Sequence, residues 1–162
     1  MLHVIARIDR SSRARLSWIQ SFAASFGIVP KPIYGHITLL SVDNAEESAL
    51  LHTCRAALAD QAAFSVDFTC VDILAGQPVV AVLAASGGVL DAVHEKLADT
   101  QEDWIPHIAL LREEQMSLNW IRTAMGQMFQ PFTAKVESIE IVRDTPGGFE
   151  VIGTVDLKGE GA

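Results

Sequence analysis

Two histidines carry the first chemical suggestion in this sequence. His36 lies in GHITLL, residues 35–40, and His107 lies in PHIALL, residues 106–111. Each follows a turn-forming residue and precedes isoleucine, a small residue and two leucines. Histidine titrates near neutral pH, so one of two facing imidazoles can accept a proton while the other donates one. Phosphodiester hydrolysis needs that pair: a base for the attacking nucleophile and an acid for the leaving oxygen. A hydroxyl two residues on, as in Thr38, can donate a hydrogen bond to a phosphate oxygen, and no metal is required. The second copy differs at that place, with Ala109.

Strands must position these groups. Alternate residues of a strand share a face. Tyr34, His36, Thr38 and Leu40 are therefore expected on one side, with Ile37 and Leu39 on the other. His107 and Ala109 are likewise expected opposite Ile108 and Leu110. Each strand would bury an aliphatic face against helices and present its histidine on the other. One His-x-Thr on a strand is common and by itself usually carries no function. Two at matching places in two half-chains are less easily dismissed.

The surrounding pattern supports two halves. Residues 2–8 read as a strand. Ser11 and Ser12 offer N-caps to a helix running to about Phe26, stopped by Gly27. Asn44 with Glu47 forms a capping box before a helix at roughly 45–60. Residues 63–74 and 78–84 read as a strand pair. Gly87–Gly88 open a helix carrying Val89, Leu90, Val93 and Leu97. A further helix lies near 117–129, and a strand pair around TPGG closes the chain. The order is β-α-β-α-β, then β-α-β-α-β-β, which nearly repeats. A single α+β domain over 1–162 is expected, with two sheet-and-helix lobes. A pseudo-twofold between the lobes would turn the two histidine faces toward one central groove.

Other residues are less pointed. Arg7 shares strand parity with His3 and could reach the groove or sit on the surface. His3 itself is a weak candidate. His52 and His94 lie in helices and read as surface or partly buried structural residues. Tyr34 could stack on a base or serve as a core or rim aromatic. Trp104, three residues before His107, could wall the groove or pack under the strand. Phe64 and Phe68 alternate as core residues. Nothing in the histidine and carboxylate spacing supports a zinc site.

Composition narrows the class. The 162 residues fit one domain, and 49% hydrophobic with 20% charged residues is ordinary for a soluble protein. The net charge of −8 argues against broad binding to nucleic-acid backbones, yet leaves room for a small anionic substrate. Cys54 and Cys70 read as two buried thiols of a reducing compartment. The N-terminal apolar run is broken by His3 and Arg7, unlike a signal peptide. The apolar stretch Val71 to Leu90 is too interrupted to span a membrane. A cytoplasmic monomer is the default expectation.

GHITLL and PHIALLR resemble the paired His-x-Thr/Ser motifs of the two-histidine phosphoesterase superfamily. That superfamily includes the bacterial 2′,5′ RNA ligase-like proteins and the 2′,3′-cyclic nucleotide phosphodiesterases. The opening VIARID is similar to the family's first strand. The ending VESIEIVRDTPGGFEVIGTVDL is similar to its closing hairpin, with the aromatic-x-Val pair at Phe149 to Val151. The resemblance implies a bilobal fold around a groove and a metal-independent reaction at a 2′,3′-cyclic or 2′,5′ phosphodiester of a nucleotide or RNA end, without a cofactor. It implies His36 and His107 as the acid/base pair and Thr38 as a phosphate ligand. It aligns Arg112 with the family's Pro-His-x-Thr-Leu-x-Arg arginine. Arg112 or Arg7 could offset the hydroxyl missing at Ala109; Arg112 could equally pair with Glu113 or Glu114. The missing hydroxyl also admits a nucleotide- or RNA-end-binding module with little or no catalysis.

Overall fold

The computed structural model describes residues 1–27, 35–98, 104–112 and 117–159. In chain order the elements are β1 (Leu2–Ile8), α1 (Arg10–Ala14), α2 (Trp18–Ser25), β2 (His36–Val42), α3 (Glu47–Ala57), β3 (Phe64–Ile73), β4 (Val79–Ala84), α4 (Val89–Leu97), β5 (His107–Arg112), α5 (Leu118–Met128), β6 (Phe132–Thr145) and β7 (Gly148–Asp156). The strands pair antiparallel in the order β2-β1-β6-β3-β4-β5, with β7 also on β6.

Strand β6 is the spine. Its first part, Phe132 to Val136, pairs with β3, and its second part, Ser138 to Thr145, pairs with β7. The two lobes are therefore halves of one seven-stranded sheet: β2-β1-β6-β7 and β5-β4-β3-β6. One face carries the core, including Val4, Ala6, Ile37, Val66, Phe68, Val80, Val82, Ile108, Ile139 and Ile141. Helix α5 packs on β3 and β4, α4 on β2 and β3, and α3 on β7. The aliphatic faces of both histidine strands are buried as the alternation requires, with Ile37 and Ile108 at 0% and 1% exposure.

Each histidine strand holds a β-bulge at the same place. Thr38 pairs with Ile5 and Leu40 with Val4, so Leu39 is the extra residue in β2. Ala109 pairs with Ala81 and Leu111 with Val80, so Leu110 is the extra residue in β5. A bulge resets the side-chain alternation. Leu40 therefore leaves the face of His36 and Thr38 and joins Val4 on the core side, contrary to strict alternation. Ser41 and Arg112 move onto the histidine faces in its stead. The doubled leucines are the sequence trace of these bulges, because both members of each pair can then point inward.

Three local expectations are corrected. The first helix is two, because the chain turns at residues 15–17 between α1 and α2. Its N-cap is Asp9, whose carboxylate accepts from the Ser12 amide and from both the Ser11 and Ser12 hydroxyls. The serines thus bond to the cap instead of forming it. Asn44 takes a left-handed φ of 56° and lies before the N-cap of α3, which is Glu46. The Glu46 carboxylate accepts from the Ser48 hydroxyl and caps no backbone amide, so the capping box does not form. Cys54 is buried, and burial pushes its thiol up to about 11. Cys70 is exposed. It pairs with Leu83 after an irregularity at Thr69, which turns it to the sheet face away from the helices.

Asp9 ties three elements together, since it also accepts from the Lys135 amide of β6. Burial opposes its charge, but these hydrogen bonds prevail and hold the carboxyl well below the usual carboxylate range. A depressed carboxylate stabilises the fold above its unfolded pKa and loses that contribution as pH falls. Asp9→Ala is therefore expected to cost about 1 kcal/mol at neutral pH. In urea melts, the gap from wild type should shrink steadily below the ordinary carboxylate pKa of 3.8.

Candidate active site

Strand β2 starts from Gly35, whose φ is +67° and whose added Cβ would meet the Arg13 side chain at 2.4 Å. Only glycine suits both constraints. The Gly35 carbonyl accepts from the Ile8 amide at 3.1 Å, setting the register of the strand. His36 then pairs across the ladder with Arg7 and Thr38 with Ile5, so their side chains share one face. Arg7 Nη1 donates to Glu140 Oε1 at 3.1 Å, and Glu140 is buried, at 7% exposure. Phe149 of β7 stands edge-on to His36, with centroids 5.0 Å apart.

Farther along this face, His3 contacts Ser41 Oγ through Nδ1 at 2.8 Å and Asp144 Oδ2 through Nε2 at 3.0 Å. Phe149 also stands edge-on to His3.

The second lobe repeats the arrangement with different chemistry. His107 pairs with Leu83, where His36 has Arg7. Its Nδ1 donates to the Ile105 carbonyl at 2.7 Å; a carbonyl only accepts, so Nδ1 carries the proton and Nε2 is the open nitrogen. Ala109 is exposed beside Ala81. Arg112 pairs with Val79, on the face of His107 but four β4 residues away, ~13 Å along the strand.

The two histidine strands lie at opposite edges of the sheet, yet β2 and β5 come into contact. Trp104 Nε1–H donates to the Thr38 carbonyl at 3.1 Å, and His94 Nδ1–H of α4 donates to the Leu39 carbonyl at 2.7 Å. The two rings stack at 4.0 Å, 12° from parallel. Beside them runs a cleft of about 700 Å³ lined in part by Thr38, Ser41, Gln77, His94, Trp104 and His107. Thr38 and His107 thus share one cavity. Tyr34 lies outside the described residues, as do Glu113 and Glu114.

The model of the 2′-5′ RNA ligase superfamily matches residues 14–148. The chain belongs to that superfamily. No curated protein matches it in sequence. Among solved structures it is similar to TT0787 of Thermus thermophilus, at 20% identity and TM-score 0.75 over 98% of both chains. It is also similar to E. coli LigT in apo form, at 14% identity and TM-score 0.68, covering 97% of this chain and 96% of LigT. LigT complexed with 3′-AMP matches at 15% identity and TM-score 0.65, covering 96% of this chain and 97% of LigT.

Within this member of the 2′-5′ RNA ligase superfamily, burial and neighbouring charge set the state of His36. Burial pushes His36 down to about 4, and the positive charges of His3, His107 and Arg7 act in the same direction. His36 is therefore neutral at physiological pH. The contribution from His107 also registers that the two rings lie within Coulombic reach of one another. The structure brings Arg7 and Thr38 to the sheet face of His36 and places Thr38 and His107 on one cleft. Sequence reading does not single out Ser41, Glu140 or Asp144 and takes His94 only as a surface or partly buried structural residue. Ser41 and Arg112 reach their faces only through the bulges, whose signal is the doubled leucine. Helical spacing alone holds no sign that His94 crosses to β2.

The depressed histidine has a consequence for stability. The unfolded chain takes up a proton near 6.5, whereas folded His36 waits until about 4. Stability is thus full above that window and falls as pH drops through it. An NMR titration of the His36 ring should show a midpoint near 4. Arg7→Met should move it upward, because a neighbouring cation has been removed.

Proposed function

We propose that this protein is a metal-independent phosphoesterase acting on a 2′,3′-cyclic or 2′,5′ phosphodiester of a nucleotide or RNA end. The observations that carry this reading are His36 and Thr38 on one face of β2, and Thr38 and His107 on one cleft, in a chain of the 2′-5′ RNA ligase superfamily. The LigT structure holding 3′-AMP adds support from a protein of the same fold.

In the hydrolytic direction, neutral His36 takes the proton of the attacking water. His107, once protonated, gives its Nε2 proton to the leaving ribose oxygen. The reverse reaction exchanges the roles. Thr38 donates its hydroxyl to a phosphate oxygen, and Arg7 supplies positive charge beside the developing negative charge. Arg112 lies ~13 Å along β5 from His107 and so meets the substrate away from the reacting phosphate. Trp104 has one ring face occupied by His94, so any base it stacks lies on the other. The free thiols of Cys54 and Cys70 suit a reducing cytoplasm as the place of this reaction.

A binding module with weak chemistry is the second reading, favoured by Ala109, which leaves the second strand without its hydroxyl. The two separate in one assay. A 2′,3′-cyclic nucleotide with excess chelator should be hydrolysed, and His36→Ala and His107→Ala should each lower kcat at least ~10²-fold, the usual scale of acid/base catalysis. The acid limb of kcat/KM should fall near pH 4, where His36 is protonated. Binding without turnover in the wild type would favour the module.

Ala109→Thr is expected to raise kcat/KM by about ten- to a hundredfold, the value of one hydrogen bond to a charged acceptor. Steady-state kinetics on the cyclic substrate checks this. A decrease would mean that the site is shaped around the alanine.

A further inference from the structure

The two histidine strands are joined by a long route and a short one. Through the sheet, β2 reaches β5 only by way of β1, β6, β3 and β4. Each ladder adds its own twist, so small shears accumulate along that route. The short route runs through the segment just before β5. Trp104 Nε1–H donates to the Thr38 carbonyl at 3.1 Å, two residues from His36. Ile105, the next residue of that segment, offers the carbonyl that holds His107 Nδ1 at 2.7 Å. Pro106 follows with its φ locked by the ring, and its carbonyl accepts from the Ala84 amide at 2.9 Å. The path from the His36 strand to the His107 ring thus crosses two hydrogen bonds and one stiff stretch of backbone.

Such a tie is only as stiff as the indole that ends it, and an indole turns about χ1 and χ2. His94 removes that freedom. Its ring stacks on the indole at 4.0 Å, 12° from parallel. Its Nδ1–H is in turn spent on the Leu39 carbonyl at 2.7 Å. A carbonyl only accepts, so Nδ1 carries this proton whether the ring is neutral or charged. Helix α4 thereby braces the indole and grips the next carbonyl of the same strand. Both N–H groups are committed to the backbone of β2, so what they supply to the groove is position.

We propose that His94 and Trp104 are positioning residues for the phosphoesterase reaction, holding the His36–Thr38 face at its working distance from His107 through the Thr38 and Leu39 carbonyls. The inference rests on the proposed phosphoesterase reading. Acid/base catalysis needs both imidazoles in reach of one phosphodiester at once, and a misplacement of about 1 Å costs up to ~10²-fold in rate. Binding of the ground state is less exacting. A loosened tie is therefore read in kcat and not in KM.

The test is steady-state kinetics on a 2′,3′-cyclic mononucleotide. Trp104→Phe keeps an aromatic ring against His94 and loses the donor; His94→Ala loses the brace. Each should lower kcat about ten- to a hundredfold while KM moves less than about threefold. The double variant should be no slower than the slower single one, because both act on one joint. His94→Asn restores a donor near the place of Nδ1 and should recover part of the loss. Unchanged kcat in both single variants, or a loss carried by KM alone, overturns the proposal when thermal melts are normal. If Trp104→Phe does not fold, His94→Ala and His94→Asn decide by the same comparison. A second readout needs no turnover. The charge of His107 helps hold the His36 midpoint near 4, so a loosened joint should raise that midpoint in an NMR titration. No turnover by the wild type overturns the phosphoesterase reading; the midpoint then decides the joint by itself, and an unchanged one in Trp104→Phe overturns it as well.

Discussion

Everything at the groove depends on how two edge strands are held together without a ladder. In a regular strand, successive carbonyls point to opposite sides. The carbonyls of Thr38 and Leu39 are nonetheless both reached from the second lobe, by Trp104 and by His94, whose rings stack on each other. The bulge at Leu39 breaks the alternation at this point. One irregularity therefore does two things: it turns Ser41 toward the groove and offers neighbouring carbonyls to the opposite lobe. The stacked pair converts those carbonyls into the joint between β2 and β5, and with it the separation of the two imidazoles. Each carbonyl would otherwise need water or bear the cost of an unmet hydrogen bond.

The sheet that carries this joint is continuous through β6, so the two lobes share one hydrogen-bonded backbone. Matching bulges at Leu39 and Leu110 show how closely the lobes correspond in backbone. Their side chains then diverge. His36 has Arg7 across the ladder, with Glu140 buried behind that arginine; His107 has Leu83. Burial, with a cation beside it, holds the His36 imidazole neutral, and a backbone acceptor at Nδ1 orients His107. Symmetry supplies the placement of the two rings, and its breaking gives them different surroundings.

Much of this is legible in the sequence. Alternation puts His36 and Thr38 on one face of their strand and His107 on the face away from the core of its own, with Ile37 and Ile108 as anchors, because these residues precede the bulges and obey period two. It fails beyond them. Strict alternation puts Leu40 beside Thr38, but the extra residue at Leu39 carries it to the core. The composition suggests a buried Cys70, and an irregularity at Thr69 turns it out. The serines at 11 and 12 look like caps, yet Asp9 wins that position because its carboxylate accepts from several donors at once. His94 is invisible as a site residue, since its partner Leu39 lies 55 positions away and bonds through a backbone atom that no sequence pattern displays. Local rules read single elements well and long-range side-chain-to-backbone bonds poorly.

The missing hydroxyl at Ala109 takes on a different meaning in this frame. A symmetric site would need the same donor from each lobe, whereas under the proposed reading the two lobes would face different parts of an asymmetric phosphodiester. The positions after the bulges make the same point, with Ser41 on one strand and Arg112 on the other. A neutral hydroxyl and a guanidinium cannot serve equivalent ends of a ligand. The duplicated backbone thus carries three successive rungs of increasing divergence: identical histidines, then threonine against alanine, then serine against arginine. In the proposed reaction, proton transfer would ask that the first be the same in both lobes, and an asymmetric phosphodiester would ask that the last be different.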